Sequence, residues 1–335
     1  FSKANGSVVQ QMLTHIRRHS RHICIKEELD WKAAIDFISE CKSITLIEYF
    51  IQARFCRLRY LLTVRSWGWW GDRHDWLHRN THGTCTTIKS RWPRADLRLL
   101  NYPWPSKDYP DIHTPTIPIE NIVIISTCNL KNRFRNFEPL SKVVEQSPKL
   151  KVLQLKSVDL TVWKNIKVPP IRELVLDGCS WNLNSSEVDL MWDFSSLELL
   201  QIKPIVPADN FFESLPRDNL RQLRRLHITA APHHHYPLVK ESLTQHLDHF
   251  IANGEKLEEI ELLCQVPQLR MTSISKHSRL MILKIHEYTG FHYDWEICPS
   301  FSLKDIAMLA RSCPRIQELS LDLDSKASEV SYHDT

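Results

Sequence analysis

The chain has 335 residues, of which 42% are hydrophobic and 24% are charged, and it contains only 7 glycines. This composition is typical of a folded globular protein and excludes a disordered chain. The formal net charge is +4 at pH 7, and the lack of a long apolar run and of an N-terminal apolar signal core argues against a membrane span and a secretory signal.

The distribution of charge and cysteine indicates where the protein works. Residues 1–110 hold 18 of the 43 Lys and Arg but only 10 of the 39 Asp and Glu, so the N-terminal third is the basic part. The nine cysteines are odd in number and lack C-x-x-C pairs, which favours reduced thiols and a cytoplasmic or nuclear location. The chain begins with Phe1 rather than Met, which indicates a fragment of a longer protein.

Residues 1–118 are predicted to form degenerate repeats of strand and helix, with a Trp-rich insertion at 67–118. Alternating apolar residues in His22–Lys26 predict a strand, and the pattern Cys41-x-x-Ile44-x-Leu46 predicts a second one. The many tryptophans of the insertion favour a packed loop over a linker. Further predicted elements are helices over 31–41 and 86–92 and a strand over 95–100.

Residues 119–323 are predicted to form a repeat array, followed by a polar tail at 324–335. The pattern L-x-x-L-x-L, with Ile replacing Leu freely, occurs eight times and its starts lie 21 to 36 residues apart. The matches begin at Ile119, Leu150, Ile171, Leu197, Leu223, Leu257, Leu280 and Ile316. This spacing predicts an α/β fold, an irregular leucine-rich-repeat solenoid with a curved parallel sheet and helices on its convex side.

The segments between the matches are predicted to cross over as helices, since a parallel strand requires a long return connection. Apolar residues at i, i+3, i+4 and i+7 predict helices over 140–147, 242–251 and 303–313. The third match continues as Asp177-Gly178-Cys179, where the Cys is predicted to hydrogen-bond the backbone of the neighbouring turn.

No glycine-rich phosphate loop, nucleophile elbow or H-E-x-x-H motif is present, so the sequence predicts neither an enzyme nor a cofactor. His74, His78 and His82 lie at i, i+4 and i+8, which would place three imidazoles on one helix face as metal ligands. A metal-dependent hydrolase at these residues is therefore an open alternative, and a partly exposed His-rich loop is the favoured interpretation. The tandem histidines at 233–235 are predicted to be adventitious.

The basic run at 17–22 and the interleaved tryptophans allow a nucleic-acid contact, but the positive charge is spread over 110 residues and mixed with acids. A solvated helix face is favoured. The residues of each strand that point away from the core are instead predicted to line a concave surface that binds a protein target. The candidates are Gln154, Lys156, Asp177, Gln201, Lys203, His227, Glu259, Glu261, Lys284, His286 and Asp322.

The order of several passages resembles that of filamentous-fungal F-box proteins with degenerate leucine-rich repeats. They are 62–69 (LTVRSWGW), 72–76 (DRHDW), 88–93 (IKSRWP), 174–179 (LVLDGC), 192–200 (WDFSSLELL), 288–291 (YTGF), 302–306 (SLKDI) and 313–319 (CPRIQEL). The resemblance covers most of the chain and implies the substrate-recruiting subunit of a ubiquitin ligase, which binds a Skp-type adaptor and a cullin through its F-box.

The chain departs from this family pattern because no F-box of Leu-Pro-x-Glu type precedes the first strand. Two explanations fit this departure. Either an F-box lies upstream of Phe1 in a longer protein, or the protein is a repeat protein that never had an F-box. A structural or nucleic-acid-associated repeat protein without a ligase role is the remaining alternative.

Overall fold

A computed structural model gives the structure of the chain. The residues it describes are 11, 14–15, 18–19, 21–26, 41, 46–50, 96–102, 119–127, 138–163, 166–203, 208–216, 220–229, 239–254, 256–263, 269–286 and 301–321. The predicted helices over 31–41 and 86–92, most of the insertion at 67–118 and the tail at 324–335 lie outside them. Within the described residues the protein is α/β, with parallel strands connected by helices, which confirms the α/β part of the predicted fold class.

The strands coincide with the predicted repeats. Strands β4 to β11 each contain the last two apolar positions of one L-x-x-L-x-L match. The strands are β1 (His22–Lys26), β2 (Leu46–Phe50), β3 (Asp96–Tyr102), β4 (Ile122–Thr127), β5 (Val152–Lys156), β6 (Glu173–Asp177), β7 (Leu199–Ile202), β8 (Arg225–Thr229), β9 (Glu259–Leu263), β10 (Ile282–His286) and β11 (Glu318–Leu321).

The chain divides into two compact units, unit 1 (Phe1–Leu153) and unit 2 (Gln154–Thr335). In unit 1, strands β1 to β4 pair in parallel in the order of the sequence. In unit 2, strands β6 to β11 do the same. The unit boundary falls inside β5. The domain limits predicted from the sequence stay a prediction.

Strand β2 begins at the residue where the pattern that predicted it ends. The predicted pattern runs from Cys41 to Leu46, whereas the strand spans Leu46–Phe50. Ile47 pairs with both Ile23 of β1 and Leu97 of β3. The predicted position of this strand was therefore too early in the chain.

The pairing of β3 with β4 is irregular: β4 contains one extra residue between the first and middle pairings, and β3 contains the extra residue between the middle and last pairings. Leu97 pairs with Ile122 and Leu99 pairs with Ile125, with a shift of register between them. Ile122 and Ile125 are fully buried, whereas Ile124, the predicted core position, is half-buried. The irregularity turns Ile124 away from the core and brings Ile125 into it.

The turns before β7, β8, β10 and β11 in unit 2 share one hydrogen-bonding pattern. The first apolar residue of a match donates its backbone N–H to the carbonyl three residues earlier, as Leu197 does to Phe194 (3.0 Å) and Leu280 does to His277 (3.0 Å). Leu223 and Ile316 donate to Leu220 and Cys313 in the same way. Matches of unequal spacing therefore begin with the same local structure.

A second repeated feature fixes where strands β7 to β11 start. The carbonyl of Glu198 accepts hydrogen bonds from the N–H groups of both Arg224 and Arg225, each at 3.0 Å. We call such acceptors shared carbonyls. The others belong to Arg172, Arg224, Glu258 and Met281, and each accepts two successive N–H groups from the next strand.

Short helices connect the strands. They are α1 (Glu138–Glu145), α2 (Ser185–Met191), α3 (Ala208–Ser214), α4 (Val239–Asn253), α5 (Met271–Ile274) and α6 (Leu303–Ser312). The predictions of α1, α4 and α6 are confirmed within a few residues, and α2, α3 and α5 were not predicted. Helices α2 and α6 begin with capping boxes, in which Asn184 and Ser302 exchange hydrogen bonds with Glu187 and Asp305. No described helix has both the length and the apolar character that crossing a membrane requires.

Aromatic side chains fill part of the core of unit 2. Trp163 stacks on Trp192 with ring centroids 6.2 Å apart, and Trp181 meets the edge of Phe211 at 4.6 Å. The indole N–H of Trp181 donates to the Ser214 hydroxyl (2.8 Å), which explains how this polar edge is tolerated in the core. Trp181 before α2, Trp192 directly after α2 and Phe211 of α3 thus form one packed aromatic cluster.

The last strand is less buried than the pattern predicts. Leu319 pairs with Leu283 of β10, which is fully buried, but Leu319 itself is 44% exposed. Within the described residues β11 pairs only with β10. The leucine therefore has a packed neighbour on one side.

Candidate functional site

The side chains of unit 2 that point away from the core form a surface that we call the polar face. Since side chains alternate along a strand, every second residue of β6 to β11 lies on it, together with Gln154 and Lys156 of β5. Its first row is Glu173, Leu199, Arg225, Glu259, Ile282 and Glu318, and its second row is Val175, Gln201, His227, Glu261, Lys284 and Ser320. A third row contains Asp177, Lys203, Thr229, Leu263 and His286.

Ten of the eleven predicted binding residues lie on this side of their strands. Gln154 and Lys156 of β5 alternate with the buried Leu153 and Leu155, and the others occupy the three rows. Asp322 lies outside the described residues, as do His74, His78, His82 and the histidines at 233–235. The binding role of all these residues stays a prediction.

The sequence analysis missed most of the first row. Only Glu259 was selected from it, whereas Glu173, Arg225 and Glu318 were not. The residue before the first inward leucine of a strand points outward by the same alternation as the residue after it. That position, the third of L-x-x-L-x-L, is the signal that identifies the row.

Arg225 and Glu173 form an ion pair across an intervening strand. The guanidinium of Arg225 on β8 lies 3.0 Å from the carboxylate of Glu173 on β6. Leu199 of β7 lies between them in the same row, and it is only 7% exposed although it points away from the core. The two long side chains therefore reach over this leucine and shield it from water.

Strands β8 to β11 of the polar face hold a cluster of five charged or titratable side chains. His227 Nε2 lies 2.8 Å from the Glu259 carboxylate. Lys284 Nζ lies 3.0 Å from Glu261 and 2.9 Å from Glu318. The hydrogen bonds that Lys284 donates to Glu318 and Glu261 raise its pKa, so the ammonium stays charged.

Each end of the polar face has its own polar contact. At one end, the His286 ring on β10 and the Ser320 hydroxyl on β11 are hydrogen-bonded at 2.8 Å. At the β5 end, Lys156 forms an ion pair with Asp177 at 3.3 Å. Such exposed pairs stabilise the fold little, typically by about 0–1 kcal/mol each. Their effect is to set the charge pattern that a partner meets.

A tight turn follows β6 at the edge of the face. Gly178 has φ +65° and Ser157, its counterpart after β5, has φ +55°. The Cys179 thiol donates to the Leu155 carbonyl at 3.4 Å, so it contacts the backbone of the preceding repeat as predicted, but in strand β5 rather than in the turn. Burial raises the pKa of this thiol to about 11, although hydrogen bonds that involve the backbone of Val158 and Asp177 act in the opposite direction. Cys179 is therefore a structural thiol rather than a reactive one.

The polar face presents charges of both signs on rigid strands. Four of its residues from β5 to β11 are basic and five are acidic, and most of them pair with one another. Such a surface can recognise charged and hydrogen-bonding groups of a partner through side chains that are already oriented. The sequence matches no protein-family model, and a comparison with curated proteins found no match either.

Proposed function

We propose that the chain is a leucine-rich-repeat module that binds a protein, and that the polar face is its binding surface. The observation that carries the proposal is the repetition in unit 2: the shared carbonyls position one strand after another from β7 to β11, and each strand adds outward side chains to the same rows. Repeats that build a continuous surface in this way typically serve as recognition modules. We also propose that the repeats within each unit are stacked as in an irregular solenoid.

The chemistry of the face favours a protein partner over a nucleic acid. A nucleic-acid surface needs an excess of Lys and Arg to neutralise phosphates. The basic residues here, Lys156, Lys203, Arg225 and Lys284, are balanced by the acidic residues Glu173, Asp177, Glu259, Glu261 and Glu318. Half-buried aliphatic side chains such as Val175 and Ile282 lie among them, which suits the mixed surface of a folded protein.

We further propose that the chain recruits its target to a ubiquitin ligase in the cytoplasm or nucleus. This part is supported by the resemblance of passages such as 174–179 and 313–319 to fungal F-box proteins. It predicts an upstream F-box that binds a Skp-type adaptor and, through it, a cullin.

Binding through the polar face can be tested with a pair of matched substitutions. Gln201 is half-buried in the middle of the second row, and Gln146 is exposed in the turn after α1. A photo-crosslinking residue at 201 is expected to capture one protein that the same residue at 146 does not. Gln201→Arg is then expected to weaken binding of the purified partner about tenfold or more, and Gln146→Arg to leave it unchanged. Identical adducts from both positions would contradict the proposal.

The ligase part needs a separate readout. The product of the full reading frame is expected to co-purify with the adaptor and cullin, and Gln201→Arg should lose the target while retaining both of them. Absence of adaptor and cullin would overturn the ligase role and leave the binding module intact. Steeply salt-dependent binding of RNA or DNA, unaffected by Gln201→Arg, would favour the nucleic-acid alternative.

A further inference from the structure

Three side chains of the polar face bring ligand atoms for a metal ion together. The imidazole of His227 and the carboxylates of Glu259 and Glu261 each offer one donor atom, and these atoms lie within 4.8 Å of one another. His227 on β8 is the register partner of Glu261 on β9, and Glu259 precedes Glu261 by two residues, so it points to the same side. The three side chains converge because the two strands are paired in this register.

From this geometry we propose that His227, Glu259 and Glu261 form a binding site for Zn²⁺. One imidazole nitrogen and two carboxylate oxygens suit zinc, whereas Ca²⁺ and Mg²⁺ prefer oxygen ligands alone. Ligand atoms around a zinc ion lie roughly 3 to 3.5 Å apart, since each is about 2.0–2.2 Å from the metal. His227 Nε2 and the Glu259 carboxylate are hydrogen-bonded at 2.8 Å, and all three donor atoms lie within 4.8 Å of one another. Small rotations of the side chains, with loss of the Nε2 proton, bring the three donors to the distances that zinc requires.

The burial of the three residues fits a site that exchanges its ion with solvent. The side chains of His227 and Glu259 are 18% and 21% exposed, and that of Glu261 is 35% exposed. They are shielded enough to strengthen attraction for a cation and open enough to admit it. The two strands hold the ligands in place before the ion arrives, and the direction facing solvent is left for a water molecule.

Lys284 is the natural competitor of the ion. Its ammonium group lies 3.0 Å from the Glu261 carboxylate and 2.9 Å from the Glu318 carboxylate. When an ion neutralises Glu261, Lys284 can keep Glu318 as its partner. Removal of the lysine charge is therefore expected to strengthen metal binding, an effect that a merely adventitious histidine elsewhere in the chain would not show.

The test is a titration of the purified, chelator-treated chain with Zn²⁺ by calorimetry, and with Co²⁺ by visible absorption. His227→Ala and Glu261→Gln are each expected to remove one equivalent of bound metal. Lys284→Gln should tighten that equivalent roughly tenfold, because a nearby positive charge has been removed. His286→Ala is the matched control, since His286 lies on the same face but is bonded to the Ser320 hydroxyl, and it should leave the equivalent unchanged.

Equal metal binding by the unaltered chain, His227→Ala and Glu261→Gln would overturn the proposal, and so would a Lys284→Gln variant that binds no more tightly. Circular dichroism of each variant shows whether it is folded. If His227→Ala does not fold, Glu261→Gln and Lys284→Gln give opposite shifts that still decide the question. The site does not depend on the proposed function, because it is read from metal binding alone.

Discussion

Arg270 holds the buried carboxylate of Asp248 with both its backbone and its side chain. The backbone N–H of Arg270 donates to Asp248 Oδ1 at 2.9 Å, and its guanidinium donates to Oδ2 at 2.9 and 2.6 Å. Asp248 lies in α4 and Arg270 is the residue immediately before α5. This contact therefore fastens the short helix α5 to its long neighbour.

Replacing Asp248 by Asn should destabilise unit 2. Asn can accept one of these hydrogen bonds but carries no charge, so we expect a loss of about 2–3 kcal/mol in the free energy of unfolding. Urea unfolding followed by circular dichroism measures it. Asp189→Asn on the exposed side of α2 is the control and is expected to change stability by less than about 0.5 kcal/mol. Equal losses in both variants would contradict the assignment.

The same carboxylate gives an acid dependence of defined sign. Burial alone would raise the pKa of Asp248, but the hydrogen bonds from Arg270 and Ser273 outweigh it and hold the pKa below its ordinary value. Its stabilisation is therefore full above the pKa of the unfolded chain, about 4, and disappears as the pH falls through the lower folded value. The difference in stability between the unaltered chain and Asp248→Asn should shrink below about pH 4.

His277 should make the protein less stable in mild acid. It is buried, and its Nε2–H donates to the Ile251 carbonyl at 3.0 Å. Burial lowers the pKa of the imidazole and Lys276 lowers it further, although the Ile251 carbonyl acts in the opposite direction. Since the unfolded chain takes up the proton more readily, stability is lost as the pH falls below about 6.5.

The histidine contribution can be separated with one substitution. His277→Gln keeps an N–H donor near Ile251 but does not titrate, so its loss of stability between about pH 6.5 and 5 should be smaller than that of the unaltered chain. His249→Gln, on the exposed side of α4, is the control and should retain the original slope. An unchanged slope in His277→Gln would show that other groups cause the acid sensitivity.

The two left-handed residues at the edge of the polar face should respond oppositely to substitution. Gly178→Ala is expected to cost about 1 kcal/mol, because an L side chain is strained at φ +65°. Ser157→Gly removes the same strain at φ +55° and is expected to stabilise by about 0.5 kcal/mol after the greater flexibility of unfolded glycine is counted. Ser195→Gly in an exposed turn is the control, where a slight loss is expected. Thermal unfolding gives all three signs.

Trp181 and Trp163 provide a matched pair for the buried hydrogen bond of the aromatic core. The Trp181 N–H donates to Ser214, whereas the buried Trp163 N–H has no partner in the described part of the chain. Both changes to Phe remove similar ring volume, but Trp181→Phe also leaves Ser214 without its donor. It is expected to cost about 1 kcal/mol more than Trp163→Phe, as measured by urea unfolding. A larger loss for Trp163→Phe would contradict this.

The strands were predictable because each repeats the same local pattern. In Leu197–Ile202, Leu200 and Ile202 alternate inward after a leucine that closes the preceding turn, and no distant contact is needed to recognise this. Register was harder to predict. Cys41, Ile44 and Leu46 match the pattern, but the strand spans Leu46–Phe50 and is defined by its pairing with β1 and β3.

The extra residue in β4 was hidden because Ile122–Ile125 are all β-branched and apolar, so the sequence does not mark which one turns outward. Helices α3 and α5 were missed for a different reason. They have seven and four residues, too few to display a helical period, and their formation depends on packing against neighbours such as Phe250 and Asp248.

The outward residues of the candidate site were identified by alternation, but their grouping was not. His227 and Glu259 are 32 residues apart along the chain and meet diagonally across two strands. Whether a given His faces a given Glu depends on the register, which the sequence leaves open when the connections differ in length. The proximity of His227, Glu259 and Glu261 could therefore be recognised only from the pairing of β8 with β9 in the structure.

The shared carbonyls have a consequence for how such a chain can change in length. The carbonyls of Glu198, Arg224, Glu258 and Met281 bind N–H groups of the next strand that lie 26, 34, 23 and 36 residues further along the chain. The register is therefore set anew at each of these strands, and a difference in the length of one connection does not shift the strands that follow. An insertion between Thr229 and Glu258 enlarges one connection and leaves the phase of β9 and all later strands intact. A single deletion inside Arg225–Thr229 would instead exchange the inward and outward residues of that strand. Mutation can thus lengthen the connections freely while the outward rows stay aligned.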